Sequence, residues 1–335
     1  MRPSFHCLLI NGPFDDPGLL VHLTFQKQAL LFDLGDLSAV STSDLLKINR
    51  IFVTHTHMDH FIGFDRVLRL LLGRSKRLHL YGPKGFLGNV AGKLAAYTWN
   101  LVHNYEEALV LEATEIDGDL MISQTFDCRT GFRPSATQRT PTNGQIVHHE
   151  PALSVRATLL DHQIPCLAFC LQERFHVNIL KTQLEELGLS VGPWLNAFKA
   201  LLFAGADPTT EVSAPSAGPE KGLRIFALEA LATRIVQITR GQKIAYVSDA
   251  VYNSTNIEKI VSLALGADHL FIEAAFLDED RDIAQSKFHL TARQAGLIAR
   301  TAEVRQMTIF HHSPRYIDQA HLLEEEAQRA FKGQS

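Results

Sequence analysis

Length, composition and charge already limit what this chain can be. Of its 335 residues, 46% are hydrophobic and 20% charged, which is the balance of a folded globular protein with a sizeable core and excludes a disordered chain. The formal net charge of -4 excludes a strongly basic protein that contacts nucleic acid over its whole surface. Histidine is the commonest metal ligand and acid–base residue, so the positions of the 16 histidines carry much of the information about function.

The N-terminal residues and the cysteines indicate a compartment. Residues 1–7 lack the basic stretch, apolar run and cleavage site of a signal peptide, and no segment approaches the roughly 20 apolar residues of a membrane span. The four cysteines are too few and too scattered for a disulfide framework. Cys166 and Cys170 lie in an apolar, strand-like run, where we expect them to be buried. These features predict a reduced, cytoplasmic protein that does not contact a membrane.

The first third of the chain predicts short strands that alternate with helices. Residues 18–32 have the pattern of a β-hairpin with a polar turn, and residues 41–47 that of a short helix. The β-branched and aromatic run 50–54 predicts a buried strand. Leucines at helical spacing predict a helix over 61–72, and a further strand is predicted at 78–81.

The rest of the chain predicts a strand-rich middle and a second set of alternating strands and helices. Residues 107–173 show strand patterns broken by polar turns. The following elements are predicted after it: helices at 177–187 and 193–203, a loop or linker at 205–222, a strand at 243–247, a helix at 257–265, a strand at 269–273, a helix at 290–302, a strand at 307–310 and a helix at 319–331. Such alternation around a β-rich middle predicts a layered α/β sandwich.

Four candidate metal ligands lie within six residues directly after the predicted strand 50–54. The motif is His55-Thr56-His57-Met58-Asp59-His60. Side chains at i and i+2 of an extended segment point to the same side, so His55 and His57 can bind one ion. Asp59 and His60, at the turn into the next helix, can reach a second ion. Because histidine and aspartate seldom cluster at this spacing without a metal, a polar loop is the weaker interpretation.

Three more candidate ligands follow apolar, strand-like runs later in the chain. They are His162, Asp249 and His311. One such residue alone is more often an ordinary surface or core-edge residue. In the metallo-β-lactamase superfamily, which the six-residue motif resembles, the remaining metal ligands come late in the chain at strand ends, and this resemblance implies that the three residues are ligands.

The motif His-x-His-x-Asp-His and these later ligands resemble the metallo-β-lactamase superfamily. Within it, the chain resembles the ribonuclease Z family, endonucleases that trim the 3′ trailer from precursor tRNA. The matching segments are 80–85 (Leu-Tyr-Gly-Pro-Lys-Gly), 161–166 (Asp-His-Gln-Ile-Pro-Cys), 288–295 (Phe-His-Leu-Thr-Ala-Arg-Gln-Ala) and 311–316 (His-His-Ser-Pro-Arg-Tyr). The resemblance covers residues 33–316 and implies a single α/β domain over 1–335, a four-layer αβ/βα sandwich with metals at one sheet edge.

The resemblance also implies which residues hold the metals and perform the chemistry. One zinc ion would bind His55, His57 and His162, and a second would bind Asp59, His60 and His311, with Asp249 bridging. Two such ions can share a hydroxide that attacks a phosphodiester, and Asp59 would orient or deprotonate it. Glu273 and His289 would protonate the leaving 3′ oxygen. Ser313 and Arg315 would contact phosphate.

An inserted helical arm over 175–222 is a further implication. It contains Gly192 and Pro193 and resembles the helical hairpin with which ribonuclease Z binds tRNA. Residues 173–220 nevertheless hold six acidic and three basic residues, the reverse of the balance that phosphate binding favours. The arm is therefore interpreted either as a tRNA-binding element or as a dimer or lid element, and we expect a homodimer.

Basic residues cluster in a different part of the chain. They are Arg66, Arg69, Arg74, Lys76 and Arg77. This cluster is either a local basic patch or simply the solvated face of a helix.

Three functions stay open on this reasoning. The resemblance favours a dizinc endoribonuclease that cleaves precursor tRNA. A hydrolase of the same fold that acts on a small phosphodiester or another ester is the alternative. It is favoured by the acidic arm and by residues 11–14 and 32–38, which depart from the family's substrate-end motifs. The third is a non-catalytic scaffold, and the complete set of seven metal positions argues against it.

Overall fold

Two β-sheets packed face to face form the centre of the molecule. The structure, a computed structural model, describes residues 4–24, 26–217 and 222–334. The strands of the first sheet are β1 (Phe5–Leu9), β2 (Leu19–Leu23), β3 (Gln28–Phe32), β4 (Ile48–Phe52), β5 (Lys76–Pro83), β6 (Leu109–Asp117), β7 (Leu120–Asp127) and β8 (Gln138–Pro141). They are arranged in chain order, with β3 to β6 parallel and the other neighbours antiparallel.

Helices cover the outer face of the first sheet. They are α1 (Thr42–Leu45), α2 (Met58–Phe61), α3 (Phe64–Leu71) and α4 (Phe86–Ala95). Helix α3 buries Phe64, Val67, Leu68 and Leu71, which recur at helical spacing and pack on the sheet. The polar residues between them face solvent.

The second sheet begins with three strands, and the arm follows them. These strands are β9 (Ile146–His149), β10 (Leu153–Asp161) and β11 (Pro165–Glu173). The arm contains β12 (His176–Ile179), α5 (Lys181–Glu186), α6 (Trp194–Ala204), β13 (Glu211–Pro215), β14 (Leu223–Ala227), α7 (Leu228–Ile235) and β15 (Val236–Thr239). Strand β12 pairs with β15 and β13 with β14. The arm has a small core of its own, which includes Leu184, Phe198 and Leu231.

The C-terminal part of the chain completes the second sheet and its helical layer. Its elements are β16 (Lys243–Val247), α8 (Ser254–Ala264), β17 (His269–Glu273), α9 (Arg281–Ser286), α10 (Ala292–Thr301), β18 (Met307–Phe310) and α11 (Ala320–Lys332). The strand order is β18-β17-β16-β11-β10-β9, with β16, β17 and β18 parallel. Helix α10 starts with a capping box between Thr291 and Gln294. Short 3₁₀ turns lie at Val102–Asn104, Cys128–Thr130, Asp278–Asp280 and Pro314–Tyr316.

Aromatic rings from both sheets fill the space between them. Phe32 stacks on Phe52 within the first sheet, with ring centroids 5.2 Å apart, and on Tyr246 of the second sheet at 5.7 Å. Tyr246 in turn stacks on Phe310 at 5.2 Å. With helices outside both sheets, the order of layers is α, β, β, α. The predicted four-layer α/β sandwich is confirmed.

The helix predicted over 61–72 is divided in two because Gly63 approaches a neighbouring loop. The Gly63 N–H donates to the Leu34 carbonyl at 2.8 Å. A Cβ atom at this position would clash with the Gly35 carbonyl oxygen. This contact joins the loop after β3 to the start of α3 and so helps to place the residues between α2 and α3.

The arm differs most from its prediction. Residues 177–187 do not form one helix, because β12 precedes α5, and the predicted linker 205–222 contains β13. Strands β14 and β15 and helix α7 were not predicted. Strand β15 pairs with β12 at the other end of the arm, and local periodicity does not reveal such a distant partner. Strand β14 pairs with its neighbour β13 but is largely exposed. Residues 218–221 of the linker and residue 25 of the predicted hairpin lie outside the described residues.

Two other predictions concern single features. Cys166 and Cys170 are buried in the core, as expected, and all four cysteines are free thiols. None of the helices among the described residues is long and apolar enough to span a membrane.

Candidate metal centre

The loop after β4 carries the six-residue motif to the edge of the first sheet. His55 lies three residues after the end of β4, and α2 begins at Met58 with His57, in extended conformation, as its N-terminal flanking residue. His55 and His60 are fully buried. The Nε2 atom of His55 lies 2.8 Å from Nδ1 of His57, so these two imidazoles converge on one point, as predicted.

His162 and Asp249 complete a first set of metal donors from the second sheet. His162 follows the end of β10, and Asp249 lies two residues after the end of β16. The Asp249 Oδ2 atom is 3.3 Å from His162 Nε2 and 3.7 Å from His55 Nε2. One donor atom from each of His55, His57, His162 and Asp249 lies within 4.8 Å of all the others.

A second set of donors lies on the other side of Asp249. Asp59, His60 and His311 also offer donor atoms within 4.8 Å of one another. The Nε2 atom of His311 is 3.2 Å from Asp59 Oδ2, and its Nδ1 atom is 2.9 Å from Asp249 Oδ1. His60 Nε2 is 3.7 Å from Asp249 Oδ2. Asp249 therefore lies between the two sets.

Glu273 and His289 form a hydrogen-bonded pair beside the second set. His289 Nδ1 lies 3.0 Å from Glu273 Oε2, and the other Glu273 oxygen accepts from the Ala250 N–H at 2.8 Å. Burial works to lower the pKa of His289, but the carboxylate of Glu273 outweighs it, so the pKa is raised overall. The charged imidazolium, which can donate a proton, is thus favoured.

The electrostatics of the buried donors fit a bound cation. Burial and the neighbouring His60 lower the pKa of His55 to about 2, so His55 is the neutral imidazole that metal coordination requires. Burial also works to lower the pKa of His60, but the carboxylates of Asp249 and Asp33 outweigh it and raise the pKa to about 10. The surroundings thus favour a positive charge at His60. Its buried Nε2 lies 3.3 Å from Asp59 Oδ2 but makes no well-aligned hydrogen bond with a described residue, so it is available to a metal ion.

Asp33 supports the metal donors from behind and was not identified from the sequence. Its carboxylate lies 3.1 Å from His60 Nδ1 and accepts from the Thr54 N–H at 2.7 Å and the Tyr246 hydroxyl at 3.0 Å. A carboxylate on the far nitrogen of an imidazole sets its tautomer and orientation. The position of Asp33 directly after the buried strand β3 was the available signal.

Backbone strain is concentrated around this site. Asp33, Gln163, Phe288 and His311 have positive φ angles of 58°, 61°, 62° and 62°. Residues other than glycine adopt this left-handed region at a cost of about 1–3 kcal/mol each. At Phe288 the strain has a visible result, since its carbonyl lies 2.8 Å from His162 Nδ1 and orients that imidazole.

Comparison with known proteins identifies the family. The ribonuclease Z of Deinococcus radiodurans is 31% identical over 291 residues, which are 86% of this chain and 83% of that protein. The chain belongs to the ribonuclease Z family. A second member, from Enterococcus faecalis, is 26% identical over 326 residues, or 94% of this chain and 87% of that protein. A scan against protein-family models found no match.

Solved structures show the same fold. The metallo-beta-lactamase fold protein YhfI from Bacillus subtilis superposes with a TM-score of 0.56 at 14% identity, covering 98% of this chain and 93% of that one. The short form of human tRNase Z gives a TM-score of 0.52 at 17% identity, covering 94% and 93%. The family and the fold predicted from the sequence are both confirmed.

In this member of the ribonuclease Z family, an open cleft of about 580 Å³ leads to the donor atoms. His57, Asp59 and His289 face it, so the candidate base and acid are accessible to a substrate. Lys287 also lines the cleft, beside His289, and was not identified from the sequence. Among the described residues that line the cleft, Lys287 is the one lysine or arginine, so its exposed ammonium is the charge that would contact a phosphate there.

Four residues predicted as substrate contacts do not line this cleft. Arg315 lies 3.6 Å from Asp280, and the Ser313 hydroxyl accepts from the Arg315 N–H at the start of a 3₁₀ turn. Gly192 and Pro193 precede α6 in the arm. The arm leaves the second sheet at the end of β11 and returns to it at the start of β16, and both of these strand ends are remote from the metal centre. Their role toward substrate stays a prediction.

Proposed function

We propose that this chain is an endoribonuclease that cleaves the 3′ trailer from precursor tRNA with two zinc ions. The single observation that carries the proposal is the presence of two donor sets around Asp249, beside the Glu273–His289 pair. Membership of the ribonuclease Z family supports precursor tRNA as the substrate.

The proposed ligands divide between the two sets. His55, His57 and His162 would hold one zinc ion, Asp59, His60 and His311 would hold the other, and Asp249 would contact both. Imidazole and carboxylate donors are typical of catalytic zinc. Two ions at this place would polarise a phosphodiester oxygen and lower the pKa of a nearby water to about 7.

Asp59 is the candidate for orienting the attacking water. Its side chain reaches both His60 and His311 and is still 39% exposed to the cleft. Burial would raise the pKa of Asp59, but contacts with His311 and His60 hold it well below its ordinary value. It is therefore ionised at neutral pH and can accept a hydrogen bond from water.

His289 is the candidate general acid. Glu273 holds its Nδ1, which leaves Nε2 of the imidazolium free to protonate the 3′ oxygen as the phosphorus–oxygen bond breaks. The products would be a tRNA with a 3′ hydroxyl and a trailer with a 5′ phosphate. Because Glu273 is fully buried, it keeps its place while His289 changes charge.

Parallel assays on two substrates test this function. Zinc-loaded protein is incubated with a precursor tRNA that carries a 3′ trailer, and separately with bis(p-nitrophenyl) phosphate. We expect cleavage at the junction of tRNA and trailer. Hydrolysis of the small ester with no cleavage of the RNA would contradict the tRNA substrate and support the small-phosphodiester alternative.

We further propose a cytoplasmic homodimer whose protomer is one domain with the inserted arm. The four free thiols fit a reducing compartment. The separate core of the arm fits an element that folds on the main domain without joining its sheets. Light scattering after gel filtration should give twice the mass of the chain, and a monomer at micromolar concentration would contradict the dimer.

A further inference from the structure

A groove beside α3 carries three arginine side chains without close acidic partners. Arg66, Arg69 and Arg74 are exposed and line a groove of about 610 Å³ between α1 and α3. None of the three lies within 4 Å of a carboxylate oxygen of a described residue. Arg66 and Arg74 donate hydrogen bonds to the backbone carbonyls of Val40 and Leu70, and Arg66 also interacts at longer range with the carboxylate of Asp36.

Two neighbouring basic residues differ because acidic partners neutralise them. Arg77 pairs with Glu112, and Lys47 lies 2.9 Å from Asp44. Asp65, the acidic residue of α3, is itself paired with Lys93 at 2.9 Å. The groove therefore presents a local positive charge on a chain whose formal net charge is -4.

The spacing of the three guanidinium groups suits a chain of phosphates. Arg66 and Arg69 are three residues apart and share one face of α3. Arg74 comes after the end of α3 at Leu71 and directly follows Gly73, whose φ angle is 79°. Arginine forks bind phosphate oxygens in pairs, and phosphate contacts dominate the affinity of proteins for nucleic acid.

The groove is also joined to the metal centre by a short piece of chain. Helix α3 begins four residues after His60, so Arg66 lies within two helical turns of a candidate zinc ligand. Helix α3 starts at the sheet edge that carries the metal donors and ends before β5, at the opposite edge, so RNA that follows α3 from Arg74 to Arg66 would run toward the cleft. The arm lacks such an excess of positive charge, because residues 176–239 hold six acidic residues and five basic ones.

We infer that the groove of Arg66, Arg69 and Arg74 binds the phosphate backbone of the RNA substrate and holds its body while the 3′ end lies at the metal centre. This inference rests on the proposed function for its substrate. It assigns the electrostatic contact to α3 and the loop after it.

The test is the binding of a fluorescently labelled mature tRNA, which lacks the scissile trailer, at sodium chloride concentrations from 50 to 200 mM. The variant Arg66→Gln/Arg69→Gln/Arg74→Gln is compared with Arg129→Gln/Arg240→Gln/Arg305→Gln, which removes the same charge from exposed arginines outside the groove. We expect the groove variant to raise the Kd about tenfold or more and to reduce the slope of log Kd against log salt by about 2 to 3. The control variant should stay close to the original protein, and equal Tm values show that both variants are folded.

Cleavage of precursor tRNA by the unmodified protein is measured in parallel. If the protein cleaves the RNA but the groove variant binds with unchanged affinity and salt slope, the inference is wrong and the proposed function stands. Equal weakening by the control variant would also overturn it, because the effect would then belong to net charge. If the unmodified protein neither binds nor cleaves RNA, the proposed function and the inference fail together.

Discussion

Two imidazoles at the end of the second sheet, His289 and His311, are close in space but have different surroundings. His311 faces two carboxylates of the donor sets, Asp59 and Asp249, whereas His289 is held at 3.0 Å by Glu273. Ring centroids of the two histidines are 5.5 Å apart. A proton donor and a metal ligand can thus act side by side, each oriented by its own acid.

Replacing His289 separates these two roles. The variant His289→Ala should lower kcat on precursor tRNA by about 10²- to 10⁴-fold, because the leaving oxygen loses its proton donor, and zinc content should stay the same. Metal analysis by mass spectrometry and single-turnover cleavage measure the two quantities. His311→Ala is the matched comparison and should lose metal. Loss of zinc from the His289 variant would make His289 a ligand and the acid assignment wrong.

Asp33 should act on metal affinity through His60. In Asp33→Asn the charge behind His60 Nδ1 disappears while the shape of the side chain is kept. Carboxylates in this position typically change affinity about 10- to 100-fold, so we expect zinc to dissociate that much more readily in competition with a chelator. Tyr246→Phe, which removes a different contact of Asp33, should have a smaller effect. An unchanged zinc affinity in the Asp33 variant would rule out this role.

The candidate metal ligands were predictable from the six-residue motif and the family resemblance, whereas the residues that position them were not. His55, His162, Asp249 and His311 each follow an apolar run, and that pattern is visible in the sequence. The carbonyl of Phe288 could not be predicted, because its contact with His162 depends on a left-handed backbone and joins residues 126 positions apart. Local sequence patterns do not encode such contacts.

At the scale of elements, strands buried between layers were predictable and the strands of the arm were not. The predicted bounds of β16, β17 and β18 agree with the structure because these strands are continuous apolar runs with polar ends. Strand β14 is largely exposed and pairs only with β13, so it lacks that pattern. Helix α7 buries Leu228, Leu231 and Ile235 at helical spacing, so its signal was present in the sequence.

Strand β9 places a partly buried histidine, His148, that should make stability depend on pH. The imidazole of His148 packs against Tyr81, and burial, with a contribution from Arg50, lowers its pKa to about 3. In the unfolded chain the pKa is about 6.5, so protonation favours unfolding and stability falls as the pH drops below that value. We expect this residue to lower the free energy of unfolding between pH 7 and pH 5. The Glu150 carboxylate, 3.2 Å from its Nε2, should keep the loss below the roughly 2 kcal/mol that a fully neutral folded-state imidazole would give.

Urea unfolding in the presence of a chelator measures this effect without a contribution from metal release. His148→Gln should reduce the difference in unfolding free energy between pH 7 and pH 5. His149→Gln changes the exposed neighbour and should behave like the original protein. An identical pH dependence in the His148 variant and the original protein would contradict the assignment.

At the scale of the whole molecule, the metal centre exists only when both sheets are in place. Asp59 comes from the first half of the chain and His311 from the end of the second sheet, 252 residues later. Between them Asp249 is brought to the same edge by β16. Metal binding should therefore stabilise the entire sandwich, since an ion that binds only the folded state adds about 4 kcal/mol at 1,000 times its Kd.

Cleavage of a precursor tRNA by metal-free protein titrated with zinc is the most direct test of a dinuclear endoribonuclease. The 3′ trailer is labelled, and the zinc bound per chain is measured in the same samples. We predict no cleavage after chelation, and cleavage between tRNA and trailer that reaches its maximum at two zinc ions per chain. Full activity in chelator, or no cleavage by protein that has bound two ions, would contradict this function.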